Sequence, residues 1–159
     1  MSKPCSASLT YLSKSLLLSM MKRYELINHT ADLRIKVKGK NLGELFANAG
    51  YAMFDIILEI ERVKPQQSIG VKIPGGEIED ILVDWLRELL SKFNLDRLVF
   101  KEFDIIKIDR SSGLEAIVRG EKIEPSRHFL KTEIKAVTYH GLAVSKNNDL
   151  WEARIIFDV

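Results

Sequence analysis

The chain has 159 residues, 46% of them hydrophobic and 29% charged, as expected of a soluble globular domain with a core of its own. Its formal charge is +2, but Lys3 and Lys14 supply that excess within a leader that has no acids. The rest of the chain is neutral, which argues against a strong nonspecific nucleic-acid binder and leaves room only for a local basic patch. No apolar run approaches the roughly 18 residues of a membrane helix. The single cysteine, Cys5, permits neither an intrachain disulfide nor a Cys-rich zinc site, and this usage fits a reducing cytosol.

Residues 1–20, MSKPCSASLTYLSKSLLLSM, are Ser-rich and poor in charge. Lys14 interrupts the apolar part and no cleavage-site pattern follows, so a signal peptide fits poorly. The expectation is a disordered leader, or a start codon placed early with Met20 and Met21 as alternatives, followed by one domain over 21–159. RYELINH (23–29) and LRIKVKG (33–39) read as two short strands. NLGELFANAGYAMFDII then places Leu42, Leu45, Phe46, Ala49, Ala52, Met53 and Ile56 on one helical face. Asn41 and Glu44 have capping spacing, and Gly43 and Gly50 cost helix propensity without breaking it.

SIGVKIPG reads as a strand ending in a Pro-Gly-Gly turn. EIEDILVDWLRELLSKFN is the strongest helix: Ile78, Ile81, Leu82, Trp85, Leu86, Leu89 and Phe93 share a wide apolar face, and Glu77, Glu79 and Asp80 suit its N-terminal dipole. After residue 97 the pattern turns to strands. RLVFKEFDIIKID and GLEAIVRGE flank a Ser111-Ser112-Gly113 hairpin turn. HFLKTEIKAVTYH, GLAVSKN and WEARIIFDV follow as three further strands, with Asn147-Asn148-Asp149 turning into the last. The expected fold is α+β: a single two-layer domain with a mostly antiparallel sheet and two main helices.

Two acids stand at strand ends. Asp32 opens the strand that Leu33, Ile35 and Val37 anchor. Asp158 closes the last strand, where Trp151, Ala153, Ile155, Phe157 and Val159 share one face and Glu152, Arg154, Ile156 and Asp158 the other. A terminal carboxylate at Val159 would lie beside Asp158, and neighbouring negative charges repel unless a cation compensates. If Asp32 joins them, the oxygen donors suit a hard divalent ion such as calcium, magnesium or manganese. The bland alternative is a pair of solvated turn residues. Lys131, Glu133 and Lys135 alternate in KTEIKAVTYH, as an exposed charged strand face or as contacts for phosphate or carboxylate. His29, His128 and His140 are scattered without metal-ligand spacing, and no nucleophile elbow, phosphate loop or dinucleotide fingerprint appears.

HTADLRIKVKG, LGELFANAGYAMF, LVDWLRELL, VRGE, KAVTYHGLAV and DLWEARIIFDV, in this order, resemble the archease family. The likeness runs from about Met21 to Val159 and departs mildly at Leu33 and Arg34. It implies a small α+β protein that assists an RtcB-type RNA ligase, promoting guanylylation of the ligase histidine and multiple turnover in tRNA splicing and RNA repair. It implies a protein cofactor of a cytoplasmic ligase and not an enzyme, an indirect contact with tRNA, and no partnership with DNA or membrane. By the same resemblance Asp32 and Asp158 hold a divalent cation (calcium, or magnesium or manganese), with an oxygen from Val159, and Lys135 serves activation. Two other classes stay open on the residues alone. One is a metal-dependent hydrolase using Asp32 and Asp158 with His29 or His140 as base. The other is a chaperone-like adaptor binding through a sheet edge.

Overall fold

The computed structural model describes residues 23–27 and 32–159. The proposed leader and His29 lie outside these residues. Strands β1 (Tyr24–Ile27) and β2 (Leu33–Gly39) lead into α1 (Leu42–Ile57) and a 3-10 turn at Ile60–Arg62. β3 (Gln67–Ile73), α2 (Ile78–Asp96), β4 (Leu98–Asp109), β5 (Gly113–Lys122), β6 (Ala136–Asn147) and β7 (Leu150–Asp158) follow. This is the expected α+β class with two main helices and antiparallel strands. The strands divide into two sheets, ordered β1-β2-β7-β6 and β3-β5-β4, with antiparallel pairing throughout. Among the described residues no helix is long and apolar enough to cross a membrane.

The helices pack between the sheets. α1 lies against β2 and β7 on one side and β4 on the other, while α2 spans β6 and the three-stranded sheet. That placement explains why α1 is buried well beyond its single predicted face. Phe54 and Ile57, outside the periodic set, are as buried as Phe46 and Met53: Phe100 and Phe103 of β4 cover Phe54, and Ile57 faces Phe93 and residues 130–133. The Phe54 ring sits edge-on to Phe93 and Phe100 and stacks on Phe103, with centroids 6.4, 5.5 and 6.1 Å away. Gly50 leaves room for this cluster: a Cβ there would come within 2.9 Å of the Phe103 ring. Trp85 also meets Phe103 edge-on, and its indole N–H donates to the Phe46 carbonyl at 2.9 Å, so its one polar atom is satisfied inside the core.

The caps follow the sequence. Asn41 Oδ1 accepts from Glu44 N–H at 2.8 Å, and the Glu44 carboxylate accepts from Lys40 N–H at 3.2 Å. α2 runs two residues past Asn94 and ends on Arg97 in the left-handed region, φ 59°. At the Ser111-Ser112-Gly113 turn, Asp109 accepts from both serine hydroxyls and from Ser112 N–H. These bonds hold its carboxyl well below the usual range.

One expected strand is shorter than its alternation suggests. Residues 128–135 carry alternating charges but do not join a sheet. Leu130 makes a lone bridge to Leu58, and the N–H groups of Lys131 and Thr132 both donate to the Ile57 carbonyl. The strand starts only at Ala136, and the two runs expected on either side of residue 140 form one strand with a large bulge. Thr138 pairs with Ile156 and Ala143 with Arg154, so residues 139–142 loop out opposite Ile155 alone. Gly141 makes the loop practicable: its φ is +67°, and a Cβ there would stand 2.5 Å from Ile156 Cδ1. Gly141→Ala should therefore cost about 1–3 kcal/mol, the scale of left-handed strain at a non-glycine residue, measured by urea unfolding.

Candidate functional site

The β2–β7 ladder is set by its buried face. Ile35 and Val37 lie opposite Ile155 and Ala153, and Leu33 lies opposite Phe157. All but Leu33 are fully buried. The ladder ends at Leu33–Phe157; carried one step further, the same register would set Asp32 across from Asp158, on the face turned away from the helices. Directly opposed side chains in such a pair have Cβ atoms about 4.5–5.5 Å apart. On the other flank of β7, Ala136 stands opposite Asp158, and its small side chain leaves the acid open. Asp158 is exposed and Asp32 half-buried. Lys135 N–H donates to the Asp158 carbonyl at 2.7 Å, bringing Lys135 and Val159 to the same end of the sheet.

Asp32, Asp158, Lys135 and Val159 thus share one tip, although 126 residues separate the two acids in the chain. Like charges placed directly opposite each other destabilise an antiparallel pair by up to about 1 kcal/mol. Neither acid is in an ion pair with a Lys, Arg or His among the described residues. A register that opposes two uncompensated carboxylates makes a donor set that could hold an external cation. Its donors are oxygens, which suits calcium, magnesium or manganese over softer metals. Among the described residues no three His, Cys, Asp or Glu side chains converge on a metal position. An ion held by the acid pair would need further oxygens, from Val159 or from a partner.

The histidines go elsewhere. His140 rides the β6 bulge, exposed, with its backbone N–H on Thr138 Oγ1 at 3.0 Å. His128 is buried at the start of the β5–β6 connection. Its Nδ1 accepts from Glu124 N–H at 2.8 Å, so Nε2 carries the proton and donates to Glu121 at 3.0 Å. Glu121 also takes both guanidinium nitrogens of Arg127 and the Lys64 N–H, at 2.6–2.8 Å. This cluster pins the start of the β5–β6 connection, the Leu58 bridge holds its middle, and buried Ile134 anchors its end. The long irregular connection is thereby fixed along its length, and it delivers Lys135 to the tip.

The Arg127 bonds pull the Glu121 carboxyl down to about 2. A carboxyl depressed by folding stabilises the fold above its unfolded value, about 4.5, and that contribution is lost as pH falls towards 2. The melting temperature should decline over this window, and Glu121→Gln should flatten the decline while lowering the temperature at neutral pH. Equal slopes for both proteins would assign the acid limb to other groups.

Sequence reasoning missed Arg87. Its Nε and Nη2 donate to the Val137 carbonyl at 3.2 and 3.1 Å, and its guanidinium lies 5.2 Å from the Tyr139 ring centre. This ties α2 to the strand segment beside the tip. The residue sits off the apolar face of its helix, where periodicity carries no signal. A cleft of about 240 Å³ opens between the ends of both helices and residues 130–133, lined by Ile57, Phe93, Arg97, Leu130 and Glu133 among others. It includes neither Asp32 nor Asp158, so it does not supply the pocket a hydrolase would need around these acids.

Two sheets around a helix pair, with paired acids at one sheet end, define a small α+β protein that presents an open oxygen-donor tip. A sequence profile of the Archease protein family matches residues 24–159. The archease of Methanosarcina mazei is 38% identical over 144 residues, covering 89% of this chain and 99% of its own length. That of Pyrococcus abyssi is 36% identical over 142 residues, covering 87% and 100%. The solution structure of Methanobacterium thermoautotrophicum protein 1598 superimposes with a TM-score of 0.74 at 31% identity, over 87% of this chain and all of that one. A Thermotoga maritima crystal structure described as an archease and possible chaperone gives 0.60 at 22% identity, over 85% and 96%, a likeness of fold alone. The chain belongs to the archease family.

Proposed function

We propose that this protein is a metal-binding activator of a cytoplasmic RtcB-type RNA ligase, promoting guanylylation of the ligase and its multiple turnover in tRNA splicing and RNA repair. Family membership and the sequence resemblance support the ligase as partner. The observation that carries the reading is the opposed pair Asp32 and Asp158 at a rigid sheet end. With an oxygen from Val159, they hold a divalent ion whose remaining positions stay open to the partner. Bound there, the ion supplies positive charge for a nucleotide triphosphate. The two acids fix its place, and the anchored β2 and β7 strands keep the tip stiff. Lys135 adds an exposed cation beside it, for ligase, nucleotide or RNA phosphates. The nucleophile and nucleotide pocket belong to the ligase, which accords with a chain that carries no catalytic motif. The protein acts as a cofactor of the ligase, with an indirect contact to tRNA.

The test is ligase guanylylation with GTP, with and without this protein. Stimulation supports the reading, and an unchanged rate at saturating protein contradicts it. Lys135→Ala should keep stability within about 0.5 kcal/mol, as an exposed side chain without a network does. It should nonetheless slow the stimulated rate, and excess metal should not restore it. A variant that matches wild type across the metal range would return Lys135 to the solvated surface.

A further inference from the structure

The start of β6 is held by very little sheet. Ala136, Val137 and Thr138 pair with β7, and then the bulge at residues 139–142 interrupts the ladder. On the other side, residues 131–135 belong to no strand. β6 is also the outer strand of its sheet, so β7 supports it on one flank alone. A short ladder at a sheet edge, between two irregular segments, is the kind of element that opens locally. Lys135 depends on it, because its N–H bond to the Asp158 carbonyl continues this ladder by one residue. Ile134 and Val137 bury their side chains on either side of Lys135. Arg87 adds a polar clamp from outside the sheet. It leaves α2 beside the buried Leu86 and Leu89, so its stem starts on a fixed helix. Nε and Nη2 both donate to the Val137 carbonyl, in the middle of the short ladder, and the guanidinium lies 5.2 Å from the ring centre of Tyr139, where the bulge begins. A planar fork suits this double contact, whereas a lysine would offer a single point charge. Arg87 is exposed and in no ion pair among the described residues, so the strand carbonyl is its principal partner.

We propose that Arg87 is a positioning residue for Lys135. Its fork fixes the centre of the three-residue ladder, which keeps the Lys135 N–H on the Asp158 carbonyl and the Lys135 side chain at the tip. The two acids need no such help. β2 and β7 hold them through Ile35, Val37, Ile155 and Phe157, all fully buried. Arg87 therefore governs Lys135 and leaves ion binding alone. Its effect on the ligase rests on the function proposed above; its hold on Lys135 does not.

The experiment has two arms, both on the full chain. Without ligase, amide hydrogen exchange read by NMR and calorimetric titration with calcium compare wild type with Arg87→Gln. The Lys135 amide should exchange about tenfold faster or more, the scale of losing hydrogen bonds to a charged group. Calcium affinity should not change. With ligase, the stimulated guanylylation rate is measured at saturating ion for wild type, Arg87→Gln, Lys135→Ala and the double variant. Arg87→Gln should slow stimulation, and adding it to Lys135→Ala should slow it no further, since both act through one side chain. Arg87→Lys should restore the rate only in part. Unchanged exchange at Lys135 overturns the proposal, as does an Arg87→Gln protein that stimulates like wild type. A double variant slowed by the product of the two single effects, or full restoration by Arg87→Lys, overturns it as well. Weakened calcium binding would make Arg87 a support of the whole tip and contradict it too. Faster exchange at Lys135, in a protein whose wild type leaves the ligase unstimulated, would remove the ligase reading and leave the clamp standing.

Discussion

Asp158→Asn should make the protein slightly more stable and its ion binding at least about tenfold weaker, the scale seen when even an outer-shell partner of a metal ligand is lost. The two effects come from one cause. In metal-free buffer the opposed carboxylates repel each other, and asparagine removes that repulsion while keeping the shape of the side chain. The gain should be at most about 1 kcal/mol. With a divalent ion the same charge is the attraction, so its loss weakens binding. Most substitutions destabilise, which makes a gain in stability paired with a loss of affinity specific to this geometry. Asp32→Asn should behave alike, because the register makes the pair symmetric. Urea unfolding with chelator present, and calorimetric titration with calcium, magnesium and manganese in turn, measure the two quantities. Undiminished ion binding in both variants would remove these acids from the site.

Phe54→Ala should cost about 3–5 kcal/mol, the range for deleting a buried aromatic side chain. Phe54 is fully buried and meets three rings, one from α2 and two from β4. Its removal opens a cavity at the junction of both helices and the three-stranded sheet, where rigid neighbours prevent collapse. At roughly 2–4 °C per kcal/mol for a domain of this size, the melting temperature should fall by about 6–20 °C. Phe54→Leu should cost clearly less. A loss below about 1 kcal/mol for the alanine variant would show that the helix–sheet junction is loosely packed.

How far the sequence reveals this molecule depends on the range of the interaction. β2 and α2 are legible because a single element carries its own periodicity: Ile35 and Val37 alternate with lysines, and Ile78 to Leu89 recur at helical spacing. Phe54 is hidden from that logic, since its burial depends on β4, some 50 residues later. The division of the strands into two sheets is hidden for the same reason. Alternation misleads at Lys131–Lys135, where the backbone N–H groups go to Ile57 and no ladder forms. Gly141 in the run YHGLAV did carry a signal, because an isolated glycine within a strand pattern marks a bulge.

At the tip, residue type was readable and proximity was not. The outward parity of Asp158 follows from the buried Ala153, Ile155 and Phe157. Its meeting with Asp32 follows only once β2 is known to pair with β7 in that register. Arg87, whose role is a bond to a strand carbonyl, left no mark in the sequence at all.

The most direct test of the central claim is the rate of ligase guanylylation as a function of divalent-ion concentration, for wild type and for the double variant Asp32→Asn with Asp158→Asn. The wild-type protein should stimulate the ligase with a saturable dependence on the ion beyond that of the ligase alone. The double variant should fold, remain stable and fail to stimulate at ion concentrations that saturate the wild type. A double variant that stimulates like wild type across the whole range would contradict the account and place activation elsewhere on the protein.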